Sequence, residues 1–82
     1  MEASMPTYYF NVYNDDVTLD DEGSELADDH AARARAVKEA RALAADTVRR
    51  GHFVGHHRIE VTDEHQNVIG TVRFDEAVHV SP

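Results

Sequence analysis

The 82-residue chain has no cysteine and no tryptophan, only two prolines and four glycines, and half as many basic as acidic residues. Without cysteine there is neither a disulfide framework nor a thiolate zinc site, the two staples of small secreted domains. A reducing compartment fits, and a cytoplasmic location is expected. No apolar run approaches the roughly 20 residues that cross a bilayer. Met1-Glu2-Ala3-Ser4 lacks the basic and apolar regions of a signal peptide. Large apolar residues are also scarce. Leu, Ile, Val and Phe fill 18 positions, and eleven of the 34 hydrophobic residues are alanine. The core must therefore be thin, as expected for a single domain of this size.

Basic charge is the other shortage. Eight Lys and Arg against sixteen Asp and Glu leave a net charge of −8, which opposes the phosphate neutralisation on which nucleic-acid and anionic-membrane binding rest. Neither class of partner is expected. Eight of the acids fall between Asp15 and Asp29, whereas six of the basic residues fall between Arg33 and Arg50. That separation is self-complementary, within one chain or between two.

Local patterning fills almost the whole length. Thr7 to Tyr13 alternates, with Tyr8, Phe10 and Val12 on one face and Tyr9, Asn11 and Tyr13 on the other, which predicts a half-buried strand. Asn14-Asp15-Asp16 provides turn chemistry, and Val17 to Leu19 gives a second strand closing a hairpin. After a second turn at Asp20-Asp21-Glu22-Gly23, Glu25-Leu26 either extends that strand or docks as a short edge. Asp28 or Asp29 then caps a helix predicted over Asp29 to Arg50. Its apolar stripe is Ala36, Val37, Ala40, Leu43, Ala44, Thr47 and Val48, and Gly51 stops it in a left-handed conformation.

Beyond the helix, His57 to Thr62 predicts a third strand and Val68 to Phe74 a fourth. Val68, Val72 and Phe74 are expected inward, Ile69 on the opposite face, and Gly70 at a bulge or a tight helix contact. Val78 and Val80 either add a short strand or close over a sheet edge. The fold class is thus α+β: a small antiparallel sheet in β-β-α-β-β order with one helix packed on one face, and Phe10, Leu43, Ile59 and Phe74 at the core. Residues 5–82 form the single domain and residues 1–4 a dispensable extension.

Met5-Pro6-Thr7-Tyr8-Tyr9-Phe10-Asn11-Val12, the acidic turn Asp21-Glu22-Gly23 before Glu25-Leu26, the Ala/Arg helix, Arg58-Ile59-Glu60-Val61-Thr62-Asp63-Glu64 and Phe74-Asp75-Glu76-Ala77-Val78 together resemble a known family. It comprises small bacterial proteins catalogued as a domain of unknown function and abundant in rhizobia and related alphaproteobacteria. The resemblance covers nearly the whole chain from Met5 onward and implies a fold but no catalytic residue. Members often place an aromatic residue at the position of His57.

Chemical constellations are weak. His52, His56 and His57 cluster between helix and third strand, but adjacent residues of an extended chain face opposite ways, and Gly51 and Gly55 interrupt any helix that would converge His52 with His56. No metal ligand set is assigned, and a metal or small-ligand site there is only an alternative. Asp15, Asp16, Asp20, Asp21 and Glu22 lack the loop pattern of a calcium site. Ser4, Ser24 and Ser81 lack the glycines of a nucleophile elbow. No catalytic residue and no cofactor is assigned, and a non-enzymatic protein is expected. Tyr9 and Tyr13, without a basic surround, do not form a base-stacking platform. Together with Ile69 they are the interface candidates, because one helix covers only one face of a sheet. A self-associating interaction or regulatory module, a homodimer, is the expected function. The hairpin, acidic turn and Ala/Arg helix also resemble the N-terminal half of the HicB antitoxins, which implies as an alternative a regulator that binds a basic toxin.

Overall fold

The computed structural model describes residues 5–79 and 81. The dispensable extension expected at residues 1–4, the Ser4 side chain and the Val80 half of the closing alternation lie outside them. The elements are β1 (Thr7–Tyr13), β2 (Val17–Thr18), β3 (Ser24–Glu25), α1 (Asp29–Arg49), β4 (Arg58–Thr62), β5 (Val68–Arg73) and α2 (Phe74–Ala77). All strand pairings are antiparallel, in the order β2-β1-β4-β5, with β3 also paired to β1. This is the expected α+β architecture, a sheet with one long helix on one face. Of the two alternatives for Glu25-Leu26 the structure takes the short edge, at Ser24–Glu25, and one element is additional: Phe74 opens a one-turn helix instead of ending the fourth strand.

Helix α1 is fixed at both ends by local chemistry. The Asp28 carboxylate accepts from the Ala31 N–H at 2.8 Å, meeting a donor that the first turn leaves unpaired. At the other end Gly51, at φ +92°, reverses the chain, and the His52 N–H reaches the Thr47 carbonyl at 3.0 Å while the Gly51 N–H reaches that of Val48 at 2.9 Å. Those two bonds define a Schellman termination, which needs the left-handed conformation that glycine adopts without strain.

The buried stripe of α1 is Ala32, Ala36, Ala40, Ala44 and Thr47. An alanine ridge lets the helix backbone come close to the sheet, where Tyr8, Phe10, Ile59 and Val61 are buried beneath it together with Phe74 and Ala77 from the final turn. Full burial of Ile59 and Phe74 is worth about 1.5–3 kcal/mol each. Glycine extends the same close approach: a Cβ built on Gly70 would lie 3.2 Å from Arg33 Cγ.

Three sequence expectations are corrected here. Leu43 is not at the core centre but half-buried beside it, because the alanine ridge, not the leucine, faces the sheet. Val48 is 58% exposed. It stands about a quarter turn round the helix from the stripe of Ala32, Ala36, Ala40, Ala44 and Thr47 that faces the sheet. The alternation in β5 is inverted at its start. Gly70 pairs with Val61 but Val68 pairs with Thr62, leaving Ile69 as the extra residue of a bulge. Ile69 consequently packs against the buried cluster and Val68 is 55% exposed on the opposite face. Gly70 thus serves both the bulge and the helix contact.

Candidate functional site

The sheet face turned away from α1 is built by strand register. Val17, Tyr13, Arg58 and Arg73 lie side by side across four strands. The next row is Asn11, Glu60 and Thr71, and the third is Tyr9, Thr62 and Val68. No helix among the described residues covers these rows. Leu19 reaches over from the loop after β2, so that Tyr9, Asn11, Leu19, Asp20, Thr62, Glu64 and Gln66 enclose an open groove of about 480 Å³. Val17 and Leu19 are 61% and 64% exposed, large apolar side chains left facing water. Tyr9 and Tyr13 are half-buried, and the Arg58 guanidinium lies over the Tyr13 ring at 4.3 Å, a cation–π contact between neighbouring strands.

Both sheet edges are partly closed by side chains of the same chain. Hydrogen-bonding residues alternate along an antiparallel pair. The Phe74 N–H donates to the His57 carbonyl at 2.8 Å, so by the one-to-one register Thr71 and Arg73 direct their backbone groups outward from β5. The Arg73 N–H is taken by Glu76 Oε1 at 3.1 Å, and Arg33 Nε donates to the Ile69 carbonyl at 3.0 Å. Arg73 itself grips Asp75 through two bonds, at 3.0 and 2.7 Å. Such plugging blunts an edge that would otherwise template pairing with another chain.

On the opposite edge, β2 and β3 leave a gap along β1 that the Asp20 carboxylate fills. Oδ2 accepts from the Phe10 N–H at 3.1 Å, and Oδ1 accepts from the Glu22 and Gly23 N–H groups at 3.1 and 3.0 Å. The Asn11 Oδ1 returns the contact by accepting from the Asp20 N–H at 2.9 Å. Partial burial pushes the Asp20 carboxyl upward, but the Gly23, Phe10 and Glu22 donors and the nearby Arg35 charge outweigh it and hold the group below the usual carboxylate range. Gly23 is obligatory to this clasp. It sits at φ +75°, and a Cβ there would meet Thr7 Cγ2 at 2.7 Å and the Tyr9 ring at 2.9 Å.

Of the three interface candidates, Tyr9 and Tyr13 stand on this open face. Ile69 is turned to the helix side by the bulge, and Val68 occupies the position expected of it. Val17 and Leu19 belong to the face although sequence reading assigned them only to a short strand. The signal that finds them is the hairpin register, which sets Val17 opposite Tyr13.

The His56 and His57 rings meet edge-on at 5.3 Å, where an extended chain would have turned them apart. His52 and His56 are exposed, whereas His57 is 5% exposed with its ring edge-on to Phe74 at 5.7 Å. Its Nε2 lies 3.5 Å from Asp15 Oδ1, and its buried Nδ1 has no hydrogen-bond partner. Among the described residues no three His, Asp or Glu side chains are grouped to hold a metal ion. Nor is any helix there long and apolar enough to cross a membrane.

No curated protein and no solved structure matches the chain. A family model does match: that of DUF6894, a domain of unknown function, aligns with residues 7–75, from the first residue of β1 into α2. The match takes in every strand, the whole of α1 and the open face described above, and the chain belongs to this family.

Proposed function

We propose that this protein is a non-enzymatic interaction module that self-associates through its open sheet face to form a homodimer. The observation that carries the reading is the composition of that face. Tyr9 and Tyr13 lie on it, and it holds Val17, Leu19 and Val68, three of the five exposed large hydrophobic residues among those described, the others being Met5 and Val48. A thin, alanine-rich core gains most from burying such a surface, and tyrosine suits interface centres because its ring buries area while its hydroxyl keeps a partner. A twofold pair is the simplest closed arrangement of one face on itself. The partly plugged edges favour face packing over strand addition.

Sedimentation equilibrium tests the proposal directly. A dimer mass at micromolar concentration is expected, with Tyr9→Asp and Tyr13→Asp giving folded monomers. A monomer mass at all concentrations would overturn it. Co-purification of a small basic protein with a monomeric chain would support the antitoxin-like alternative instead.

A further inference from the structure

The open face is not electrically uniform along its strands, and the pattern defines how two copies meet. This inference rests on the self-association proposed above and adds its orientation. At one end of β4 stands Arg58, beside Arg73 of β5. Arg73 is already neutralised by Asp75 at 2.7 Å, whereas Arg58 makes no ion pair among the described residues and is held over the Tyr13 ring. Towards the other end stand Glu60, at the centre of the face between Asn11 and Thr71, and Glu64, which lines the groove beyond Thr62. Neither carboxylate has an ion-pair partner among the described residues, and neither accepts a side-chain hydrogen bond there. One free cation and two free anions therefore share a surface whose other residues are aromatic, apolar, neutral polar or, like Arg73, already paired.

We infer that the homodimer packs face to face about a twofold axis lying in the interface and running across the strands, so that Arg58 of each chain meets the Glu64 carboxylate of the other. The polarity follows from charge. An axis parallel to the strands would lay the Arg58–Arg73 row against its own copy and leave the carboxylates facing carboxylates. An axis across the strands reverses one sheet relative to the other and, passing between the Glu60 and Thr62 rows, sets Arg58 against Glu64 twice without bringing Glu60 onto its own copy. A chain with a net charge of −8 repels its copy at long range, so a local cation placed against the acidic end is what such an encounter requires. Arg58 is suited to it because the stack on Tyr13 fixes the guanidinium before the partner arrives, reducing the ordering cost of association.

The test is a charge exchange read by sedimentation equilibrium, with circular dichroism to establish that each variant is folded. Arg58→Glu places three acids on the face, and Glu60→Arg with Glu64→Arg places three bases there. Each variant alone is expected to dissociate at least about tenfold more readily than wild type, since like charges then oppose one another. An equimolar mixture of the two is expected to form a heterodimer at least as tight as the wild-type pair. A wild-type dimer whose dissociation is unaffected by either variant, or variants whose mixture stays monomeric, would overturn the orientation while leaving self-association standing. A wild-type chain that is monomeric throughout would remove both.

Discussion

The Tyr8 hydroxyl donates to Asp29 Oδ1 at 2.7 Å, tying the start of β1 to the first residue of α1. Tyr8 is 2% exposed, so its ring belongs to the core while its oxygen reaches the helix N-terminus. The arrangement satisfies a buried hydroxyl and orients a carboxylate where the helix dipole favours negative charge. Sheet and helix are thereby joined by a polar contact as well as by the alanine ridge.

That contact has an alkaline signature. The hydrogen bond to Asp29, then burial, then the Asp29 and Asp28 charges push the Tyr8 phenol up to about 12. A phenol raised in the folded state favours folding below its unfolded value near 10, and the benefit is lost as pH rises through 10 towards 12. Near-ultraviolet titration of the folded protein is expected to show one tyrosine ionising at about 12. Tyr8→Phe should abolish that step, flatten the alkaline fall in stability and lower the melting temperature at neutral pH.

Asp20 gives the opposite dependence. Its carboxyl is held low in the folded state, so its contribution is complete above the unfolded value of about 3.9 and disappears as pH falls through the depressed one. Asp20→Ala leaves the N–H of Phe10, a buried residue, without its acceptor. The expected loss at neutral pH is about 1–3 kcal/mol. Urea unfolding at neutral and acid pH should show that loss shrinking on acidification. A constant difference would place the effect elsewhere than in the carboxylate clasp.

The helix interface gives a pair of outcomes with opposite logic. Ala40 is completely buried, and a larger side chain there must push α1 off the sheet, so Ala40→Leu should destabilise by about 1–3 kcal/mol or more. Leu43→Ala removes a half-buried side chain and should cost less than the roughly 2–5 kcal/mol of a fully buried leucine. Thermal or chemical denaturation of both variants checks the rotation of the helix. A larger loss from Leu43→Ala would show the alanine ridge to be misplaced.

Much of this architecture was legible in the chain because local rules and tertiary packing agree. Alternation in Thr7–Tyr13, the Asp28 cap and the Gly51 stop each act over a few residues, and each gives the observed element. Where reading failed, the deciding physics was non-local. The sequence places Ala36, Ala40 and Ala44 on the same stripe as Leu43, but nothing local shows that the alanines take its centre and the leucine its side, and the displacement of Ile69 depends on its pairing with β4, not on its own alternation. Phe74 was read correctly as buried but assigned to a strand, since a one-turn helix leaves no periodic signal. The open face was legible only as Tyr9 and Tyr13. Val17, Leu19 and Val68 join it through register and a bulge, and the Arg58–Tyr13 stack needs two strands brought together from opposite sides of α1.

His57 gives the last prediction, because its surroundings are those of an aromatic core residue bearing one nitrogen too many. Its backbone is tied on both sides, by its N–H to the Val54 carbonyl at 3.2 Å and by its carbonyl to the Phe74 N–H at 2.8 Å, so the ring cannot readily leave its site. The Nδ1 atom is buried with no partner, while Nε2 has only the long 3.5 Å approach to an exposed Asp15 carboxylate, worth little in water. Phenylalanine preserves the edge-on packing against Phe74 and removes the orphaned nitrogen, so His57→Phe is expected to stabilise the fold by about 1 kcal/mol. His57→Ala leaves a cavity against Phe74 and is expected to destabilise it. Opposite signs in chemical denaturation establish the ring as a packing element. Destabilisation by both substitutions would show instead that the imidazole nitrogens make a contribution to stability that their contacts do not account for.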